Sequence, residues 1–312
     1  MPRQQFPNVR SSSLRSEASL EGLSGAFEGG RRTRGYRPSG TRDMPLVSIV
    51  TAVFDRAWHI EETIQAILAQ TYPNLEYIIV DGGSTDGTVD VLRRYDDRID
   101  YWISEKDSGI YDAMNKGIDL VTDPESYVMF ANSDDCLYSP TAVERIVAEG
   151  RGADLVYGRM EVTDGGVSRI VGRPMELKDL AVETLCHPAT FTRRRVFDLV
   201  GKFDTRYRLA ADYDQIIRCF AHPVSTQFVD VVVSRMTMGG SSEAQYQLSG
   251  RERKEVVRER FSSSTRLLGV LRVNFYALPR SSARYWLDRI GLLDHWRAVK
   301  NLSSTLWHRL SR

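Results

Sequence analysis

Cysteine is scarce: three in 312 residues, Cys136, Cys186 and Cys219. Their spacing matches no metal-ligand pattern, and an odd number cannot all pair, which excludes a disulfide framework and points to a reducing compartment. The amino terminus lacks the apolar core of a signal peptide, and no apolar run is long enough to cross a bilayer. A cytoplasmic location is therefore expected. The chain also lacks internal repeats, the Gly-Lys-Ser/Thr ending of a P-loop and the G-x-G-x-x-G fingerprint, so the two commonest glycine-rich phosphate cradles are excluded.

Net charge is nearly absent too, at +1, but its distribution is uneven. Residues 1–44 carry +4 and residues 251–312 carry +9, leaving −12 on residues 45–250. An acidic body with basic ends suggests catalysis with a metal in the middle and ends that meet an anionic surface such as a membrane. Solvated charge on ordinary helices explains the same numbers. Residues 1–44, with RSSSLRS and GGRRTRG, have few apolar residues and no period, and are expected to form a disordered basic tail. No nucleic-acid partner is expected for them.

Residues 45–130 alternate between buried strands and amphipathic helices. PLVSIVTAVF, LEYIIVDGG, DYWISEKD and SYVMF read as strands; the segments between them carry helical spacing, as at Ile60, Ile64, Ile67 and Leu68, with Asp55 a candidate cap. This βαβ rhythm predicts an α/β fold with a mainly parallel sheet covered by helices on both faces. Beyond Pro140 the pattern becomes mixed, with a hairpin turning at TDGG, a short strand in CHPATFTRR, a helix closed by Gly201, a loop running into a further helix within KFDTRYRLAADYDQIIRCFA and a last strong strand from Thr226. The catalytic body is expected at 45–242. A basic amphipathic helical extension is expected at 243–312, where Leu, Phe, Tyr and Trp interleave with Arg; it is suited either to a membrane interface or to packing on the body.

The predicted topology puts four polar segments at the carboxyl edge of the sheet, where such folds bind ligands. FANSDD, at 130–135, delivers two adjacent carboxylates. Oxygen donors of this kind bridge Mg²⁺ or Mn²⁺ to phosphates, although a helix cap at Asp135 or Ser139 is the plain alternative. DGGSTDGT, at 81–88, joins a strand-end acid to glycines that allow close backbone approach.

Taken together, Thr51-Ala-Val-Phe54, DGGSTDGT, EKDSGIYDAMNKGI (105–118), NSDD (132–135), HPATFTRR (187–194) and ADYDQ (211–215) resemble the family-2 glycosyltransferases of GT-A fold, in particular bacterial members that build exopolysaccharide, capsule or O-antigen. The resemblance implies that Thr51, Val53 and Phe54 line a nucleotide pocket, Asp81 binds the base, and Asp107 and Asn115 lie against the nucleotide. Met114 stands where many members carry Arg. It further implies Asp134 at the ribose or metal, Asp135 at the metal, His187 at the donor sugar, acceptor or metal, and Asp212 as general base, with Asp214 as the second choice. Arg208 and Arg235 would meet phosphate, and Gly239-Gly240-Ser241 would form a closing loop. The implied reaction is inverting and metal-dependent: one sugar passes from a UDP- or GDP-sugar to a glycan or lipid-linked oligosaccharide. Peripheral contact with the inner face of the cell membrane would come through the carboxyl-terminal helices. The Gln-x-x-Arg-Trp motif and membrane spans of processive members are missing, hence a single addition per encounter.

Two other functions compete. A sugar-1-phosphate nucleotidyltransferase needs a glycine-rich loop after the first strand, and TAVFDRAWH has none. A catalytically silent scaffold subunit would not need acids at 81, 134, 135 and 212.

Overall fold

The structure, a computed structural model, describes residues 27–132, 136–164, 166–237 and 246–262. Its centre is β2 (Val47–Val53), buried along its whole length. A strand without a polar face needs cover on both sides, and β2 has it. Val50 and Ala52 face one core with residues of α3 (Ile110–Leu120), α5 (Arg194–Val200) and α6 (Ala211–Ala221). Val47, Ile49 and Val53 face a second core with α1 (Ala57–Leu68), α2 (Thr88–Arg94) and α4 (Ala142–Glu149).

On one flank β2 pairs in parallel with β3 (Leu75–Asp81), and β3 with β4 (Tyr101–Ser104). On the other it pairs in parallel with β5 (Tyr127–Phe130). The register sets Val53 beside Asp81, and Asp81 beside Ser104, so these strands end level. Chain order reverses at β2, which makes the edge between β2 and its neighbours the natural binding crevice.

The second half extends the same sheet: β9 (Thr190–Arg193) runs antiparallel to β5 and to β7 (Leu155–Asp164), β7 lies parallel to β10 (Thr226–Thr237), and β6 (Cys136–Leu137) runs antiparallel to β10. β8 (Val167–Val171) closes the expected hairpin on β7, with Asp164 opposite Val167.

The amino-terminal expectation needs correction. Within the stretch read as disordered, β1 (Phe27–Gly29) adds to β4 in antiparallel register, and a 3₁₀ turn follows at Arg31–Arg34. The cause is charge. Asp100 and Glu76 are each 2 % exposed, and such acids need partners. The Arg31 guanidinium donates to Asp100 Oδ1 at 2.5 Å, and Arg32 to Glu76 Oε1 at 3.3 Å and to the Leu120 carbonyl at 2.8 Å. Gly29 and Gly30 permit the approach: a Cβ on Gly29 would stand 2.2 Å from Asp96 Oδ1, and Gly30 has φ +100°.

At the other end α7 (Tyr246–Arg260) is the expected charged helix, and its Val256 and Val257 enter the first core. The aromatic–arginine stretch at 263–312 lies outside the described residues. No helix among the described residues is long and apolar enough to cross a membrane.

Candidate active site

The carboxyl ends of β2, β3 and β4 form one side of the site. Thr51 and Val53 are buried in the core, and Thr51 Oγ1 lies 3.2 Å from the Tyr77 hydroxyl. Of the three residues expected to line a nucleotide pocket, Phe54, just past the end of β2 and 58 % exposed, is the one open at the rim. Asp81 is fully enclosed and serves its own turn. Its Oδ2 accepts from the amides of Gly83 and Ser84 (3.2 and 3.0 Å) and from Ser104 Oγ (2.6 Å), while its Oδ1 accepts from Ser84 Oγ. Asp81 thus locks the turn that presents Gly82 and Gly83.

The rest of DGGSTDGT laces that turn to α1. Ser84 Oγ accepts from the Asp55 amide at 2.7 Å, Thr88 Oγ1 from the Arg56 amide at 3.0 Å, and Asp86 Oδ2 from the Ala57 amide at 2.9 Å. Asp55 was the candidate cap of α1 and does not cap it; its Oδ1 accepts from the Thr85 amide at 2.9 Å. Asp86 satisfies an orphan amide of α1 from across the site.

Gly82 lies between Phe54 and Asp107. A Cβ there would come within 2.5 Å of Asp107 Oδ2 and 3.3 Å of Phe54 Cδ2. Asp107 accepts from the Gly109 amide at 2.8 Å, and burial raises its carboxyl above the usual range, against the pull of that amide and Lys116. A carboxyl, a bare backbone and an aromatic face therefore meet at one spot.

Helix α3 leads from there to the second side. Tyr111, in its first turn, donates its hydroxyl to Asp212 Oδ1 at 2.9 Å. Burial first, then Asp212, pushes the Tyr111 phenol well above its ordinary value, so it stays a proton donor at neutral pH. One turn on, Asn115 clamps the Phe203 backbone, donating to its carbonyl and accepting from its amide, both at 2.9 Å. Asn115 was expected against a nucleotide; both ends of its amide serve this loop. Neighbouring Met114 is buried. His187 stacks on Phe130 at the end of β5, with centroids 5.5 Å apart, and meets Phe203 edge-on at 5.8 Å. Burial depresses the His187 pKa, with Asp212 opposing, which keeps the imidazole neutral at pH 7.

The two acids of α6 have different fates. Asp214 is fully buried between Arg218 (2.9 Å) and Arg260 (2.7 Å). Asp212 is half-buried, and Tyr111 is its hydrogen-bond donor. Asp214 is thus spent on two arginines, whereas Asp212 keeps exposed surface.

Ser133, Asp134 and Asp135 lie outside the described residues, as do Gly239, Gly240 and Ser241. β5 ends at Phe130 and β6 begins at Cys136. Arg235, exposed on β10, is the register partner of Cys136. Arg208 is exposed. The donor set at 134–135 is oxygen alone and fits Mg²⁺ or Mn²⁺; among the described residues no group of three or more His, Cys, Asp and Glu could hold a metal.

The Tyr111 bond joins α3 to Asp212 and ring stacking joins His187 to Phe130, while the charge of Asp81 is felt at Asp107 and that of Asp212 at His187. Sequence reasoning gave no role to Tyr111 or Phe203. The available signal was the spacing of Tyr111 and Asn115, which sit on one helical face four residues apart.

Residues 48–207 match the family described as glycosyl transferase family 2. A PGL/p-HBAD biosynthesis glycosyltransferase of Mycobacterium bovis is 34% identical over 198 residues, spanning 61% of this chain and 76% of that protein. The glycosyltransferase AglE of Haloferax volcanii is 34% identical over 138 residues, 41% of this chain and 44% of that protein. Among solved structures, the mannosyltransferase PcManGT from Pyrobaculum calidifontis, in complex with GDP-Man and Mn²⁺, aligns with a TM-score of 0.56 over 88% of this chain and 89% of that one, at 16% identity. S. aureus TarS 1-349 in complex with UDP-GlcNAc aligns with a TM-score of 0.55 over 77% and 75%, at 15% identity. The sheet is that of the GT-A glycosyltransferases. The match covers half of the residues and includes every strand from β2 to β9, and on that ground the chain belongs to glycosyl transferase family 2 and is a glycosyltransferase.

Proposed function

We propose that the enzyme moves one sugar from a nucleotide-sugar to a hydroxyl of a glycan acceptor, inverting the anomeric centre, with Asp212 as general base. The observation that carries this proposal is the contrast on α6, where Asp214 is neutralised by two arginines while Asp212 stands beside a phenol at the helix start. In the reaction Asp212 takes the proton of the acceptor hydroxyl. The acceptor oxygen bonds to the anomeric carbon as the bond to the diphosphate breaks, and that electron pair leaves with the nucleoside diphosphate. Tyr111 holds the Asp212 carboxylate toward the acceptor.

The nucleoside is assigned to the spot bounded by Phe54, Gly82 and Asp107, with Asp81 securing its wall. Asp134 and Asp135 are assigned to a divalent cation, which when bound supplies charge neutralisation for the departing diphosphate. Neutral His187 is placed toward the transferred sugar, and Arg235 toward phosphate. Support for a nucleotide-sugar donor and for Mn²⁺ comes from the fold neighbours, one carrying UDP-GlcNAc and the other GDP-Man with Mn²⁺. A lipid-linked acceptor at the inner membrane face is proposed on the basic, aromatic composition of residues 263–312. Family membership stands against nucleotidyl transfer, and turnover would dispose of a silent scaffold.

The test is a panel of UDP- and GDP-sugars assayed for transfer and slow hydrolysis with Mn²⁺, Mg²⁺ or EDTA. Turnover of one donor, lost with EDTA and lost in folded Asp212→Asn, is the expected result. Undiminished activity in Asp212→Asn would remove the base assignment.

A further inference from the structure

Helix α7 lies outside residues 48–207, the segment matched by the family, yet it reaches the back of the site. We propose that Glu252 on α7 is a positioning residue for Asp212, fixing the loop that delivers the base onto α6. The inference rests on the assignment of Asp212 as general base.

Glu252 is 7 % exposed, and both of its oxygens are used. Oε1 accepts from the Arg208 amide at 3.0 Å and Oε2 from the Leu209 amide at 2.8 Å. Consecutive backbone N–H groups form a concave cradle for an anion, and bonds of this kind to a carboxylate are strong and directional. Here the anion is an internal side chain. Ala210, the residue at the amino-terminal cap of α6, has no side-chain cap, and Asp212 is the second residue of that helix. With no cap of its own, the entry to α6 takes its orientation from the segment just before it, which Glu252 holds.

The grip continues on both sides of the base. The Tyr207 hydroxyl donates to Glu259 at 3.2 Å, the Arg253 guanidinium lies 5.3 Å from the Tyr213 ring centroid, and Arg260 pairs with Asp214 at 2.7 Å. Residues 207, 208, 209, 213 and 214 are thus held by α7, while Asp212 between them is left to Tyr111. The far end of the same loop is pinned by Asn115 at Phe203. A general base must sit within a fraction of an ångström of its proton, and a 1 Å misplacement costs roughly 100-fold in rate.

The experiment compares Glu252→Ala and Glu252→Gln in the full chain, alone and combined with Asp212→Asn. It reads kcat, donor KM and thermal stability. Glu252→Ala is expected to lower kcat by about 10- to 100-fold with donor KM within about twofold. Glu252→Gln keeps the side-chain volume and one acceptor, and is expected to fall between. In the Asp212→Asn background, Glu252→Ala is expected to slow the residual rate no further, because it acts through the missing base. A kcat within twofold of the parent in either Glu252 variant would overturn the proposal, as would an equal loss with and without Asp212. If Glu252→Ala does not fold, the Gln variant carries the same comparison. Full turnover in Asp212→Asn would remove both proposals, whereas a dead Asp212→Asn beside fully active Glu252 variants would sink this one alone.

Discussion

Tyr111 and Asp212, 101 residues apart in the chain, meet at 2.9 Å between the phenol oxygen and Oδ1. The bond ties the helix that follows β4 to the helix that carries the proposed base. Tyr111→Phe keeps the ring and its packing on Phe203, 5.5 Å away centroid to centroid. Because a hydrogen bond to a charged group is worth roughly 1.5–3 kcal/mol, kcat is expected to fall about 10- to 100-fold, with donor KM little changed. Steady-state kinetics on the two proteins check this; an unchanged kcat would show that Asp212 orients itself.

The neighbouring acids of α6 should separate cleanly by substitution. Asp214→Asn leaves Arg218, 9 % exposed, facing a neutral group, and breaking a buried pair costs about 3–5 kcal/mol. Its melting temperature is expected to drop sharply, while the turnover of the folded fraction stays far above that of Asp212→Asn. Asp212→Asn is expected to melt near the parent temperature and to lose at least ~100-fold in kcat. Calorimetry and kinetics together read both outcomes.

Gly82→Ala tests the proposed nucleoside site. The added methyl has no room between Asp107 and Phe54. Overpacking at this edge is expected to cost about 1–3 kcal/mol of stability. It is also expected to weaken UDP or GDP binding by about tenfold, or ~1.4 kcal/mol, in titration calorimetry. Equal affinity would move the nucleoside elsewhere.

Arg32 and Glu76 yield a pH signature. Burial raises the Glu76 carboxyl above 4.5, with the Ser48 hydroxyl and Arg32 opposing. A carboxyl with a raised folded-state pKa binds more protons in the native state, so its contribution to stability is present below 4.5 and is lost as pH rises through the folded value. Arg32 limits that loss. Arg32→Ala is therefore expected to melt close to the parent at pH 4.5 and well below it at pH 8. Equal losses at the two pH values would mean that Arg32 acts through packing and its bond to Leu120 alone.

The parallel half of the fold was legible because β2, β3 and β5 are apolar runs at βαβ spacing, and their register follows once the strand ends are aligned. The candidate acids were legible as strand-end residues for the same reason. Their individual states were not. Asp81 looks like a ligand-facing carboxylate in DGGSTDGT, but Ser104, 23 residues on, completes its enclosure. Asp212 and Asp214 are alike in ADYDQ; Tyr111, 101 residues before Asp212, and Arg260, 46 residues beyond Asp214, join the nearby Arg218 in distinguishing them. The basic ends carried the most misleading pattern: Arg31, Arg32 and Arg260 are basic in sequence, yet each answers an acid of the same molecule. Pairings of that range have no periodicity to betray them.

The outermost strands are very short, three residues in β1 and two in β6. A broad sheet ends in rows of unsatisfied amides and carbonyls that template self-association, and stubby terminal strands are one way to blunt them. Removal of residues 1–44, the cut a sequence-guided truncation would choose, strips β1 and its Glu28–Tyr101 bond and bares the β4 margin. Such a protein is expected to aggregate in light scattering, whereas one beginning at residue 27 stays dispersed. Residues 27–34 of the arginine-rich arm thus hem the β4 margin.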